Sequence, residues 1–331
     1  MEISRRDFIK YALGLGSGAI MAGALSSLTA CTSEREPLAA GSTSPLPELG
    51  ATPEPTVIPS PPDKAYLAVV RGPNPELIVQ AALKALGGME RFVKKGDDVI
   101  IKPNICVAYH TYEYAATTNP EVIKALVSLC FSAGAGRVRV LDQPFGGTAE
   151  QAYQRSGIAA AVKEAGGEME VMGSRKFQET DIPDGRDIKK WPVYIDALDA
   201  DVLINVPIAK HHSLGRLTLG MKNLMGLIKD RGQFHFNLGQ RLADLTSLLR
   251  PALTVVDAVR ILTNHGPTGG NLDDVKLLNT VIASHDIVAA DTYATTLFGL
   301  TGEDIPAIRA AVQMGLGTDD LKSIKVEEID I

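Results

Sequence analysis

Short apolar runs rich in β-branched residues recur at 66–70, 99–101, 138–141, 202–206, 253–256 and 280–283, and each reads as a buried strand. Between several of them the spacing changes to a three-four repeat. Over 75–86, Leu77, Ile78, Ala81, Ala82 and Ala85 share one face, and Gly87-Gly88 supplies the stop. Over 120–133 the face is Val122, Ile123, Leu126, Val127 and Cys130, opened by Asn119 as N-cap with Pro120 in the first turn. Two more helices are predicted over 240–249, through Leu242, Leu245, Leu248 and Leu249, and over 286–298, through Ile287, Ala290, Ala294 and Leu297. Strands alternating with helices predict parallel crossovers. The expected fold is α/β: a doubly wound, mostly parallel sheet with helices on both faces, in a single large domain.

The first 62 residues do not fit that rhythm. Arg5-Arg6 stand before the apolar, glycine-rich stretch 11–28, the pattern of a twin-arginine export signal. That stretch ends in Leu28-Thr29-Ala30-Cys31, which resembles a lipobox, so Cys31 is expected to carry lipid and become the mature N-terminus. A retained membrane helix is the weaker reading, because glycines and small residues make a poor span. Residues 32–62 then hold eight of the chain's 19 prolines among Ser, Thr, Gly and Glu, a composition that stays extended and unpacked. The division is therefore signal peptide at 1–31, Pro-rich linker at 32–62 and α/β domain at 63–331. Its expected partners are the twin-arginine translocase, the lipoprotein-processing machinery and, through the lipid anchor, the outer face of the cell membrane.

Composition narrows the function. With 33 Lys and Arg against 39 Asp and Glu, a net charge of −6 and only 5% aromatics, the chain makes a poor nucleic-acid binder. Cys106 and Cys130 are the only cysteines after Cys31 and have no C-x-x-C spacing, which disfavours an iron–sulfur cluster; they read as two buried thiols or one disulfide. No H-E-x-x-H spacing exists for zinc. Gly134-Ala135-Gly136 follows a helix and precedes a strand, the wrong order for a phosphate loop, and reads as a helix-ending turn.

Candidate chemistry lies where the buried runs end. Lys102-Pro103-Asn104 follows one run, Asp142-Gln143-Pro144 another, Asn205, Pro207, Lys210, His211 and His212 a third, and Asp257 a fourth. In open α/β sheets ligands bind beyond the carboxyl ends of the strands, so these clusters are expected to converge on one crevice. Lys102 and Lys210 suit a carboxylate or phosphate, with a plain salt bridge as the alternative. His211 and His212 can move protons or bind a metal, but neighbours on an extended strand point opposite ways and one of them is expected to face the pocket. Asp142 and Asp257 are either orienting carboxylates or turn caps. The segment 214–237 is broken by Gly215, Gly220, Gly226 and Gly232 and sets Lys222 and Asn223 among apolar neighbours. A desolvated lysine there is nucleophilic or anion-binding; a lid lysine reaching water is the alternative. His235, between Phe234 and Phe236, is a metal ligand or a packed core histidine.

These residues carry a resemblance. Lys102-Pro103-Asn104, Asn205-Val206-Pro207 with Lys210 and His212, Gly220-Met221-Lys222-Asn223 with Gly226, then His235, Asp257, Gly266-Pro267 with Gly270, and Asp286 with Asp291 resemble the bacterial and archaeal family called domain of unknown function 362, over about residues 65–315. Some members of that family carry ferredoxin-like cysteines, which this chain lacks. The order His212, Lys222, His235 also resembles nickel-dependent lactate racemases, although Thr218-Leu219-Gly220-Met221 replaces their serine-glycine-glycine context. That likeness implies an acid/base role for His212, a cofactor tether at Lys222 and a metal ligand at His235.

The expectation that results is an exported lipoprotein enzyme moving a proton on a small anionic substrate, racemase- or epimerase-like. His212, Lys222 and Asp257 would be catalytic; Lys102, Asn104, Asp142, Asn205, Lys210 and Asn223 substrate-binding; His235 and His211 metal ligands. A metal ion or metal-containing cofactor stays open. The alternatives are a solute-binding lipoprotein without catalysis or an accessory of an iron–sulfur redox system.

Overall fold

The computed structural model describes residues 64–331. The export signal, Cys31 and the whole Pro-rich linker lie outside the described residues. Strands β1 (Leu67–Arg71), β2 (Asp98–Pro103), β3 (Arg137–Val140), β4 (Glu168–Met169), β7 (Val202–Val206), β10 (Leu253–Leu262), β11 (Val275–Ser284) and β12 (Val326–Asp330) form one sheet in the order β12-β1-β11-β10-β7-β2-β3-β4. A ribbon of β8 (Ile208–His212) and β9 (Arg216–Thr218) joins it along β10, and β5 (Phe177–Asp181) pairs β6 (Lys190–Tyr194) in a separate hairpin. Main-sheet neighbours are parallel except at β11, which runs against both β1 and β10.

Strand periodicity builds two cores. Leu67, Ile100, Leu203, Val256 and Ile282 face one side; Ala68, Val99, Ile101, Ile204, Val255 and Val281 face the other. The second side is covered by α1 (Pro75–Ala85), α2 (Pro120–Ser132), α3 (Ala149–Arg155) and α4 (Ile158–Glu164). The first is covered by α5 (Asp196–Asp199), α6 (Gly220–Asn223), α7 (Arg231–Phe234), α8 (Leu238–Leu249), α9 (Ile287–Thr295) and α10 (Pro306–Gln313). The sheet is thus buried on both faces, which is why its strands read as unbroken apolar runs.

Local starts follow the sequence. Asn74 and Asn119 cap α1 and α2 by accepting backbone amides, each with proline in the first turn. Gly134 ends the α2 turn at φ +101°, not a phosphate loop. Cys106 and Cys130 are both free and buried. Among the described residues no helix is long and apolar enough to cross a membrane.

Candidate functional site

β2 and β7 lie side by side, so Lys102 and Asn205 are register partners and project onto the same sheet face as Ile100 and Leu203. On that face α6 delivers Asn223. Its amide group donates to Asn205 Oδ1 at 2.9 Å, while its Oδ1 accepts from Lys102 Nζ at 3.1 Å and from Asn104 Nδ2 at 2.9 Å. Lys102 Nζ also donates to Asp142 Oδ1 at 2.7 Å, and Asp142 Oδ2 takes the Ile105 amide at 2.6 Å. Asn205 itself donates to the Gly220 carbonyl and stays beneath the surface. The 3-10 turn Leu224–Leu227 crosses this ion pair at Gly226. A Cβ there would lie 2.6 Å from Lys102 Nζ and would collide with Asp142 Oδ1, so only glycine lets the turn approach so closely.

Above this floor opens a cavity of about 320 Å³. Lys102, Lys210, Lys222 and Arg231 line it, against the single carboxylate of Asp142; Asn104, Asn223, His212 and His235 complete the expected set. Lys210 is 1% exposed, and its ammonium donates to Asn104 Oδ1 at 2.9 Å and to the Ala116 and Pro267 carbonyls at 2.6 and 3.0 Å. All three acceptors are neutral. Burial lowers the pKa of both Lys210 and Lys102, with Asp142 working the other way for Lys102. Burial, then the neighbouring Lys210 and Arg231, pulls Lys222 down to about 7. The Lys222 ammonium has Met225 Sδ at 3.1 Å, a weak acceptor.

The two imidazoles are held in complementary states. His212 Nδ1 accepts the Leu214 and Gly215 amides at 3.1 and 3.3 Å, which leaves Nε2 as the ring's hydrogen-bearing nitrogen. Burial and the nearby lysines hold His212 neutral, its pKa down to about 3. His235 Nδ1 instead meets the Arg231 carbonyl at 2.5 Å and must donate, so its Nε2 keeps a lone pair. The rings stack with centroids 6.4 Å apart and planes inclined by 24°. One ring offers a hydrogen-bond donor at Nε2 and the other an acceptor that can take a proton.

Besides Asn205, which lies in the floor and does not line the cavity, two expected residues are not brought here. Asp257 is not at a strand end, because β10 runs on to Leu262. It shares parity with Val255 and therefore faces the opposite core, where its oxygens accept the Asn119 and Val259 amides at 2.7 and 2.9 Å. Burial raises its pKa to about 6, but the group serves to tie α2 to the sheet. His211 alternates with its neighbours on β8 and turns away, accepting the Gly266 amide at 3.1 Å. Of the paired histidines it is His212 that lines the cavity.

Sequence reasoning passed over Arg231 and Cys106. Arg231 closes the cavity and donates to the Gln143 and Pro144 carbonyls at 2.9 and 3.3 Å. Its signal was the charge cluster Lys229-Asp230-Arg231 directly after an apolar stretch. Cys106 lies in the wall with Sγ 3.4 Å from the Pro267 carbonyl, and burial raises its thiol pKa. Among the described residues no group of three or more His, Cys, Asp or Glu side chains could hold a metal ion. A metal held by protein donors alone therefore does not fit.

A thylakoid-associated protein of Synechocystis sp. is 30% identical over 248 residues, covering 72% of this chain and 74% of that protein. Among solved structures, the lactate racemase apoprotein of Thermoanaerobacterium thermosaccharolyticum is similar at a TM-score of 0.43 and 12% identity, covering 72% of this chain and 58% of that one. A structural-genomics protein of Thermotoga maritima is similar at a TM-score of 0.43 and 13% identity, over 69% of this chain and 60% of that one. The model of the domain of unknown function DUF362 matches residues 99–296. This chain belongs to that family.

Proposed function

We propose that this protein is an enzyme that binds a small organic anion in the strand-end cavity and moves a proton on it. The observation that carries the reading is Lys210, a buried ammonium whose hydrogen bonds go to three neutral oxygens and to the Cys106 thiol rather than to a carboxylate, in a cavity where four basic groups meet one carboxylate. A cation without a buried counter-charge is short of an anion. The oriented imidazoles and the near-neutral Lys222 supply the chemistry. For a 2-hydroxycarboxylate, His235 Nε2 or the free amine of Lys222 takes the proton from the carbon beside the carboxylate and, once protonated, returns it, while the neutral His212 donates a hydrogen bond from Nε2–H to the developing negative charge. The substrate's carboxylate lies among Lys210, Lys102 and Arg231. A metal-bearing cofactor held by Lys222 and His235 would add electrophilic stabilisation of the developing negative charge; the positioning by Lys210 and Arg231 is the same with or without it.

The same proposal includes export and anchoring: Arg5-Arg6 as the address, Cys31 as the lipid site and the Pro-rich linker as a spacer at the outer face of the membrane. Fatty-acid labelling that disappears in Cys31→Ala tests it, and undiminished labelling overturns it.

Exchange of the substrate's α-proton in D2O, followed by NMR on lactate and related 2-hydroxycarboxylates, tests the chemistry. Exchange is expected in the native protein and to fall by about a hundredfold or more in His212→Ala and in Lys222→Ala. Anion binding without exchange would instead make the protein a solute-binding module. Metal analysis of the native protein and of Lys222→Ala reports on the cofactor.

A further inference from the structure

A second cavity, of about 50 Å³, lies behind the first and shares Leu214 and Lys222 with it as walls. Its other walls are almost wholly apolar: Leu217, Leu219, Met221, Leu242, Ile305 and Ala307. The one charged group there, Asp291, has both oxygens engaged by the Gly220 and Met221 amides at 2.6 and 2.9 Å. An anion therefore finds its positive charge on the other side, where Lys102, Lys210 and Arg231 lie. The partition is also poorly anchored. Leu214 is 69% exposed, so it can swing without disturbing the core, and the Lys222 stem lies against the backbone at Gly215.

We propose that the two cavities act as one amphiphilic site: the cationic cavity takes the carboxylate of the substrate, and the apolar cavity takes a short alkyl chain attached to it. This rests on the anion-binding reading above and adds the substrate class, a short-chain aliphatic carboxylate. Size sets the chain. A dry apolar cavity of about 150 Å³ accommodates benzene, so one a third as large takes about two carbons. Each methylene moved from water into it should tighten binding about fourfold. Beyond two extra carbons the tail reaches Leu242 and Ile305, and the gain should stop.

Titration calorimetry at pH 6 with acetate, butyrate and hexanoate reads this directly. Butyrate is expected to bind about sixteenfold more tightly than acetate, and hexanoate no more tightly than butyrate. Ala307→Leu fills the apolar cavity and should bring butyrate back to the acetate value while leaving acetate unchanged. Leu242→Ala enlarges it and should move the plateau to hexanoate. If Ala307→Leu does not fold, the plateau in the native chain and its shift in Leu242→Ala still decide. Equal affinity for all three acids overturns the alkyl subsite and leaves the anion site standing. No binding of any of them overturns both.

Discussion

Two buried cations on this sheet have been treated in opposite ways. Arg139 on β3 meets three carboxylates: Asp98 through a two-pronged contact at 3.1 and 2.6 Å, Glu170 at 3.1 Å and Asp196 at 2.8 Å. Lys176 and the Tyr194 hydroxyl add further bonds to the same acids. Burial works against the Arg139 charge, but its bonds to Asp98 and Glu170 outweigh that and raise its pKa above the ordinary arginine value. Lys210 is as deeply buried and meets carbonyls, an amide and the Cys106 thiol. The first cation is consumed by the fold. The second has spent its hydrogens on geometry and kept its field for something that is not in the chain. A buried charge alone therefore says little about function; the charge of its partners separates a structural site from a binding one.

Identical substitutions should split the two regions. Arg139→Met leaves three partly exposed acids facing one another and is expected to cost about 3 kcal/mol in urea unfolding, with acetate affinity within twofold of native. Gly226→Ala should come next, because a methyl group between Lys102 and Asp142 is overpacking at a site that cannot yield. About 2 kcal/mol of stability and a loss of anion affinity are expected together. Lys210→Met should do the reverse of Arg139→Met. Relief from burying the ammonium offsets the loss of its hydrogen bonds to the Ala116 carbonyl and Asn104 Oδ1, at about 1 kcal/mol each, the Pro267 carbonyl keeping the Cys106 thiol, so stability should move by less than about 1 kcal/mol. Acetate affinity should fall at least tenfold. If Lys210→Met unfolds the protein as badly as Arg139→Met, the contrast collapses and Lys210 is structural.

Much of the fold was legible because parallel strands buried on both faces leave unmistakable apolar runs, and because Asn119-Pro120 is a helix start with a mechanism. The reversed direction of β11 was not legible, since nothing in a strand's own pattern records which way its neighbours run. The β8–β9 ribbon was hidden by its content. Lys210 and His212 are buried polar residues on a strand, so they broke the alternation that would have announced it. In the site, the spacing of His211 and His212 already required that they part. Asp257 was misplaced because its neighbours fix its parity relative to β10 but not which face carries the crevice. Gly226 read as a helix breaker, and its reason, an ion pair under the turn, belongs to residues 84 and 124 positions away.

The pH dependence is the most diagnostic, because Lys222 should push stability and binding in opposite directions with pH. Its folded pKa, about 7, lies below the ordinary lysine value near 10.4, so the unfolded chain holds a proton the folded one has released between those limits. Folding stability from this group therefore rises with pH across about 7 to 10 and bears the full burden of the buried charge below 7. Lys222→Met removes the burden. Its stability relative to native should be most favourable below pH 7 and should shrink steadily towards pH 10, a difference in which the other titrating groups cancel. Acetate binding runs the other way: the native protein should lose affinity as pH rises through 7 and Lys222 gives up its charge, and Lys222→Met should be flat over that range. Bound acetate should shift the native midpoint upward, since an anion favours the protonated amine. Two native curves of opposite slope, both flattened by one substitution, would tie the lysine's burial to its use. A native affinity that stays level from pH 6 to 8 would mean that Lys222 faces the ligand with its stem rather than its charge.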